Sequence, residues 1–159
     1  MSDSLVKLYD LPALEPIITK LQRDQFVIRR AAAYEKFQIV DWVRLTFGLP
    51  WAGECDVAFS NHPISCFIAT SRGCLIGFAC YDSTCKDFFG PVGVTNDFQK
   101  RGIGKALLLR SLYAMAENGY AYAIIGDSAD AADFYSRVLD TAEIKDSSPG
   151  IYLDRLKES

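Results

Sequence analysis

The chain has 159 residues, half of them apolar and 13% aromatic, with a formal net charge of −3. That is the size of one domain with a single core, too apolar for disorder and without the basic excess that duplex nucleic acid demands. The start, Met1-Ser2-Asp3-Ser4, lacks the basic-then-apolar pattern of a secretory signal, and no apolar run approaches the roughly 18 residues of a membrane-spanning helix, so a cytoplasmic protein with no membrane or nucleic-acid partner is expected.

Residues 1–25 read as helical in part. Leu14, Ile17, Ile18 and Leu21 fall at helical spacing, while Pro12 and Pro16 delay or interrupt the start. They are expected to form an N-terminal extension packed on one domain covering residues 26–159. Residues 26–31 are a short strand. A helix follows from Tyr34, with Phe37, Val40, Val43, Leu45 and Phe47 near helical spacing and Gly48 as its stop. Residues 49–64 hold Trp51, Pro63 and several turn formers without periodicity, and read as a loop or broken helix. Two β-rich runs, 65–70 and 74–81, flank Ser71-Arg72-Gly73, a hairpin signal. Residues 87–94 are another β run, interrupted by Gly90, Pro91 and Gly93. Such residues mark a bulge, an edge, or close approach of a backbone or ligand.

A helix is predicted over about residues 102–118, closed by Gly119. Residues 120–125 are a short buried strand. A second helix spans about 129–139, with Ser128 or Asp127 as its cap. Two short strands, near 142–145 and 150–154, close the chain. The late β-α-β order demands a right-handed parallel crossover. The predicted fold class is therefore α/β: a mixed, mostly antiparallel sheet with helices on both faces. The five cysteines, Cys55, Cys66, Cys74, Cys80 and Cys85, are odd in number, show no C-x-x-C spacing, and have one histidine, His62, for company. A zinc site takes four compactly spaced ligands, so the cysteines read as reduced core residues and no metal is expected.

The stretch FQKRGIGKALLL, residues 98–109, puts Gly102 and Gly104 among Lys100, Arg101 and Lys105 where a helix begins. Glycine lets a backbone approach closely, and a helix start offers orphan N–H donors with about half a positive charge. Together these suit an anion, most simply a phosphate. A magnesium-nucleotide loop needs Ser or Thr where Ala106 stands and Gly where Gln99 stands. A dinucleotide fingerprint needs Gly or Ala where Leu107 stands. An ordinary strand-to-helix turn built with glycine is the alternative without a ligand. A third pattern, Gln/Arg-x-x-Gly-x-Gly/Ala, in which a strand, a loop and a helix clamp a pyrophosphate, is met by Gln99, Gly102 and Gly104.

With both this loop and a second motif in register, the sequence resembles the GNAT superfamily of coenzyme-A-dependent acyltransferases. Val92-Gly93-Val94 stands where that family has its acetyl-binding strand. The stretch SADAADFYSRVL resembles the family's second signature, with Ser128 where many members have Asn, then Ala131 and the Phe134-Tyr135 pair. The likeness covers about residues 26–155. Departures are Asn96 for a usual Pro, Leu139-Asp140-Thr141 for Gly-Phe, and the irregular Gly90-Pro91.

The resemblance implies a GNAT-type sheet, splayed beside residues 92–94 so that a pantetheine arm enters, and acetyl-CoA as cofactor without a metal. Cofactor contacts are implied for the strand residues Val92, Gly93 and Val94. The loop would add Gln99, Lys100, Arg101, Gly102, Ile103, Gly104, Lys105 and Ala106, and the second motif Ser128 and Phe134. Tyr135 is the implied acid for the leaving thiolate; without the resemblance it reads as a helix residue packed beside Phe134 and Val138. The implied activity is acetyl transfer to a primary amine, on a small molecule or a peptide, directly in a ternary complex. A non-catalytic acyl-CoA-binding or sensing module on the same fold is the alternative. Tyr81, Asp82, Glu54, Asp56 or a water relay are all open as the base, and each side chain also reads as structural or solvated. Cys85 has no basic partner to make it a nucleophile. Acceptor selectivity is expected in residues 34–64 and 81–88, and a homodimer is compatible with such a fold.

Overall fold

The structure, a computed structural model, describes residues 2–126 and 131–157. Seven strands form one sheet: β1 (Ser4–Lys7), β2 (Phe26–Arg30), β3 (Cys66–Ser71), β4 (Cys74–Tyr81), β5 (Phe88–Val94), β6 (Tyr122–Ile125) and β7 (Thr141–Glu143). Their order is β2-β3-β4-β5-β6-β1-β7. Every neighbouring pair is antiparallel except β5 and β6, which run parallel through α4 (Ile103–Glu117). The fold is thus a mixed α/β sheet flanked by helices, as the sequence predicts. The hairpin between β3 and β4 turns through Arg72 (φ 51°) and Gly73 (φ 79°), the pair of positive φ values a two-residue hairpin turn requires.

The helices divide between the two faces. On one face lie α1 (Glu15–Arg23), α4 and α5 (Ala132–Val138), burying Leu21, Leu107, Leu108, Leu112 and Met115. On the other lie α2 (Lys36–Phe47) and α3 (Leu49–Ala58), burying Ile39, Val43, Cys55 and Phe78. Leu107, Leu108, Leu109 and Leu112 of α4 are all 0% exposed, so truncating any one to Ala costs ~2–5 kcal/mol. α4 is therefore the rigid mount of the glycine loop that precedes it. α1 braces that loop, because Ile17 Cδ1 lies 2.7 Å from where a Cβ on Gly102 would stand.

The fold differs from the predicted elements in three places. Residues 49–58 are a regular helix, α3, where a loop or broken helix was predicted. Gly48 (φ 105°) ends α2, and Pro50 sits in the first turn of α3, so two helices abut around one glycine. The buried residues of α3, Ala52, Cys55 and Ala58, are small and make a weak apolar stripe. Residues 150–152 form a single helical turn where a strand was predicted, after Pro149 and with Gly150 at φ 56°. Residues 4–7, not predicted as a strand, form β1, which lies between β6 and β7. The predicted caps Ser128 and Asp127 lie outside the described residues.

Candidate active site

The site is built on an interruption of the sheet. Among the described residues β5 pairs with β6 only at Phe88–Ile124 and Phe89–Ile125. Among the described residues Val92 to Val94 pair with β4 alone, and these three residues line a cavity on their other edge, the gap of the site. In the register with β4, Tyr81 faces Phe89 but Ala79 faces Val92, so β5 carries one extra residue there. That is a bulge, at Gly90 (φ 124°) and Pro91, which has no N–H for the ladder. The Thr95 N–H donates to Ile76 O, which fixes the alternation along β5 and β4. Gly93 then faces β4 with its N–H and carbonyl, while the N–H groups of Val92 and Val94 face the gap. Gln99 Nε2 donates to Val94 O at 3.0 Å, tying the glycine loop to the open edge of the strand.

The gap opens into two cavities. The first, of ≈530 Å³, runs from Val92, Gly93 and Val94 to the glycine loop and α5. Gly102 (φ 87°) caps α4 in the left-handed conformation, and the first intrahelical bond is Ala106 N to Gly102 O. The N–H groups of Ile103, Gly104 and Lys105 are therefore without a helical acceptor. Lys100 and Lys105 line this cavity, and Arg137 of α5 joins them. Gly104 also lines it, and a Cβ there would meet Phe134 Cζ at 3.5 Å, so the missing side chain leaves room on the cavity floor. These features fit a pyrophosphate-bearing cofactor such as coenzyme A.

Of the residues singled out in sequence, Gln99, Phe134 and all three of the strand line this cavity. Arg101 instead lays its guanidinium over Phe26 and Phe98, 5.9 and 5.6 Å from their ring centres. Ile103 and Ala106 are buried in the core under the loop. Arg137 was missed, because a lone arginine on a helix carries no sequence signal. Gly93 has a further reason to be glycine: a Cβ there would lie 2.6 Å from Phe47 Cζ, on the α2 side of the sheet.

The second cavity, of ≈550 Å³, lies at the other end of the gap and shares Val92 and Ala131 with the first. Tyr135 and Glu54 both line it, with Trp51, Tyr152 and Arg155. Tyr135 is 8% exposed, set edge-on to Phe89 and against Phe134. Burial pushes its phenol well above the usual value, so it stays protonated. Glu54 accepts a hydrogen bond from Thr84 Oγ1 at 2.7 Å. Burial raises its pKa, opposed in part by Thr84 and by the charge of Arg155.

The other three candidate bases stand elsewhere. Asp56 pairs with Lys36 at 3.1 Å. The Tyr81 hydroxyl accepts from Arg30 Nη1 at 2.8 Å and is buried. Asp82 organises its own turn, accepting from the Asp87 N–H at 2.7 Å and the Tyr120 hydroxyl at 3.2 Å.

Residues 62–138 match the model of the acetyltransferase (GNAT) domain. No curated protein matches the chain. Among solved structures, the glucosamine N-acetyltransferase region of a fungal multi-domain GH3 β-N-acetylglucosaminidase shares the fold at a TM-score of 0.68 and 16% identity, over 89% of this chain and 20% of that one. A GCN5-related N-acetyltransferase from Sphaerobacter thermophilus follows at 0.62 and 17%, over 89% of this chain and 48% of that one. An aminoglycoside acetyltransferase from an uncultured soil metagenomic sample, solved with sisomicin, gives 0.57 and 17%, over 77% of this chain and 93% of that one. The chain spans between a fifth and half of the length of the first two. Residues 62–138, just under half of the chain, thus resemble the GNAT acetyltransferase domain and carry its glycine loop.

Proposed function

We propose that the protein is an acetyl-CoA-dependent N-acetyltransferase that moves an acetyl group to a primary amine by direct transfer in a ternary complex. The observation that carries this reading is the meeting of two cavities at Val92 and Ala131, one lined by the glycine loop and the other by Glu54 and Tyr135. Acetyl-CoA, when bound, supplies the thioester carbonyl that the amine attacks and the thiol that leaves. Residues 26–159 carry the site in this reading, while residues 1–25 supply β1 to the sheet and, through α1, brace the glycine loop.

Each residue then has a task. The free N–H groups of the α4 start, with Lys100, Lys105 and Arg137, hold the pyrophosphate. The Val92 N–H donates to the acyl oxygen as charge develops on it. Glu54 takes the proton of the attacking amine; burial moves its pKa toward the operating range of a base at neutral pH. Tyr135 donates its O–H to the departing sulfur. The burial that weakens the phenol as an acid also raises the pKa of a thiol leaving into the same cavity, so the match between them is kept. Glu54 beside the acceptor cavity suits a cationic amine substrate.

The test is release of CoA thiol from acetyl-CoA across a panel of primary amines, with the acetylated product identified by mass spectrometry. Amine-dependent thiol release is the expected result. Tight binding of acetyl-CoA without release on any amine would leave a binding module. Absence of binding would remove the cofactor reading as well.

A further inference from the structure

Three cysteines that the proposed chemistry does not use meet on the α2 and α3 side of the sheet. Cys66 and Cys80 are register partners on β3 and β4. The Tyr81 N–H donates to Ser65 O, so the adjacent pair, Cys66–Cys80, is the non-hydrogen-bonded kind, whose side chains stand closest on one face. α3 lays Cys55 over them. The three Sγ atoms lie within 4.8 Å of one another, and all three residues are 0% exposed. Cys74 is exposed and Cys85 half-buried, so the grouping is confined to these three.

One or two buried thiols are ordinary core residues. Three sulfurs from three elements converging on a common centre form a ligand set. Three sulfur ligands about 2.3 Å from one ion are about 4 Å apart, a spacing this cluster reaches with small side-chain motions. The donor set selects the ion. Thiolate sulfur prefers soft ions. Structural zinc takes four ligands, and no other His, Cys, Asp or Glu among the described residues joins the three. The single histidine, His62, lines a separate surface cavity with Pro63 and Asn118. The three cysteines belong to one buried apolar cluster with Ile39, Val43, Ala52 and Phe78, so bulk water has no access as a fourth ligand, and the nearest polar partner is Phe67 O, which accepts from Cys66 Sγ at 3.7 Å. Buried net charge is the main cost in such a shell, and a monovalent ion keeps it smallest.

The geometry points to Cys55, Cys66 and Cys80 as a three-sulfur site for one soft monovalent ion of the copper(I) kind. Binding forms metal–sulfur bonds and breaks S–H bonds. Each thiol that becomes a thiolate releases its proton to solvent; at least one must, and the charge of the ion then leaves the site neutral. The site would staple α3 to the middle of the sheet, next to the helix position that carries Glu54.

Full-length, reduced, metal-free protein is to be titrated anaerobically with copper(I) held by a competing chelator, and loaded in parallel by refolding with the ion. The expected result is one ion per chain, a near-ultraviolet sulfur-to-copper charge-transfer band, and a raised melting temperature. Cys55→Ala, Cys66→Ala and Cys80→Ala should each weaken binding at least about tenfold, whereas Cys74→Ala and Cys85→Ala should not. Absence of a one-to-one complex in the parent protein would overturn the site, as would unchanged affinity in the first three variants. Should those variants fail to fold, X-ray absorption of the copper-loaded parent decides. Three sulfur neighbours at about 2.3 Å uphold the site, and two sulfurs, or nitrogen and oxygen neighbours, overturn it.

Discussion

At Glu54 two effects oppose each other: burial disfavours the carboxylate, while Thr84 and Arg155 favour it. Burial is the larger, so the pKa lies above the usual 4.5. A base works deprotonated, so kcat/KM should rise with pH through a value above 4.5 and level off. Glu54→Gln should lower turnover about 10²-fold at neutral pH and flatten that limb. An unchanged profile in the variant would hand the proton to water. Gly104→Val tests the other cavity. Its Cβ meets only ordinary contacts with Phe134 and Val94, so the fold should survive while the added methyls fill the floor. Acetyl-CoA affinity should fall at least about tenfold, about 1.4 kcal/mol, by calorimetry. Unchanged affinity in the folded variant would put the phosphate loop elsewhere. The position of the glycine loop was legible in the sequence because Gly102 and Gly104 stand where the apolar helical run of α4 begins. Glu54 was legible only as one of several acids. What singles it out is that α3 turns it into the cavity while Asp56 turns out to Lys36.

Two elements carry predictions of their own. Arg29 of β2 grips Glu35 with two bonds, of 2.8 and 2.6 Å, and Glu35 also accepts the Ala32 N–H, so the pair fixes the entry of the chain into α2. The Arg29 bond, ahead of the opposing burial, holds the Glu35 pKa at about 2 against a usual 4.5. A depressed carboxylate pKa stabilises the fold above the unfolded value. Its contribution is therefore complete above pH 4.5 and lost as pH falls toward 2. Arg29 is 41% exposed, so solvent limits the cost of Glu35→Gln to about 1 kcal/mol at pH 7. Denaturant melts of parent and variant should converge on acidification; a constant gap would mean the charge is not the cause. On β5, Gly93→Ala would push a methyl into Phe47, whose ring is held by Trp42, Trp51 and Phe78. Overpacking of that kind costs ~1–3 kcal/mol, read as a lowered denaturation midpoint. Long elements with strong periodicity, α2 and α4 and the β3–β4 hairpin, were legible from the sequence. α3 was not, since Ala52, Cys55 and Ala58 bury little area each, and β1, with four residues, is too short to show an alternation.

Across the whole molecule, the sheet, the bulge in β5 and the two helical layers exist together to open one gap and hold two cavities against it. The parallel crossover was legible from element order. The bulge was not a matter of composition: it is one extra residue at Gly90-Pro91, which the glycine and proline mark without fixing its register against β4. The three-cysteine cluster was invisible for the same reason, since Cys55, Cys66 and Cys80 are brought together by strand register and helix packing. The central claim, that acetyl transfer occurs where the cavities meet, falls most directly on Tyr135. Tyr135→Phe removes one oxygen from an 8% exposed ring and leaves its packing intact. The measurement is amine-dependent thiol release from pH 6 to 10, paired with direct binding of acetyl-CoA. The account predicts a turnover loss of about 10²-fold, the lower end for a proton donor, with cofactor affinity unchanged. Because burial raises the phenol, the parent should show no loss of rate from its ionisation near pH 10.0. Full turnover in the Phe variant, or an equal loss of binding and rate, would contradict a role for this hydroxyl at the departing sulfur.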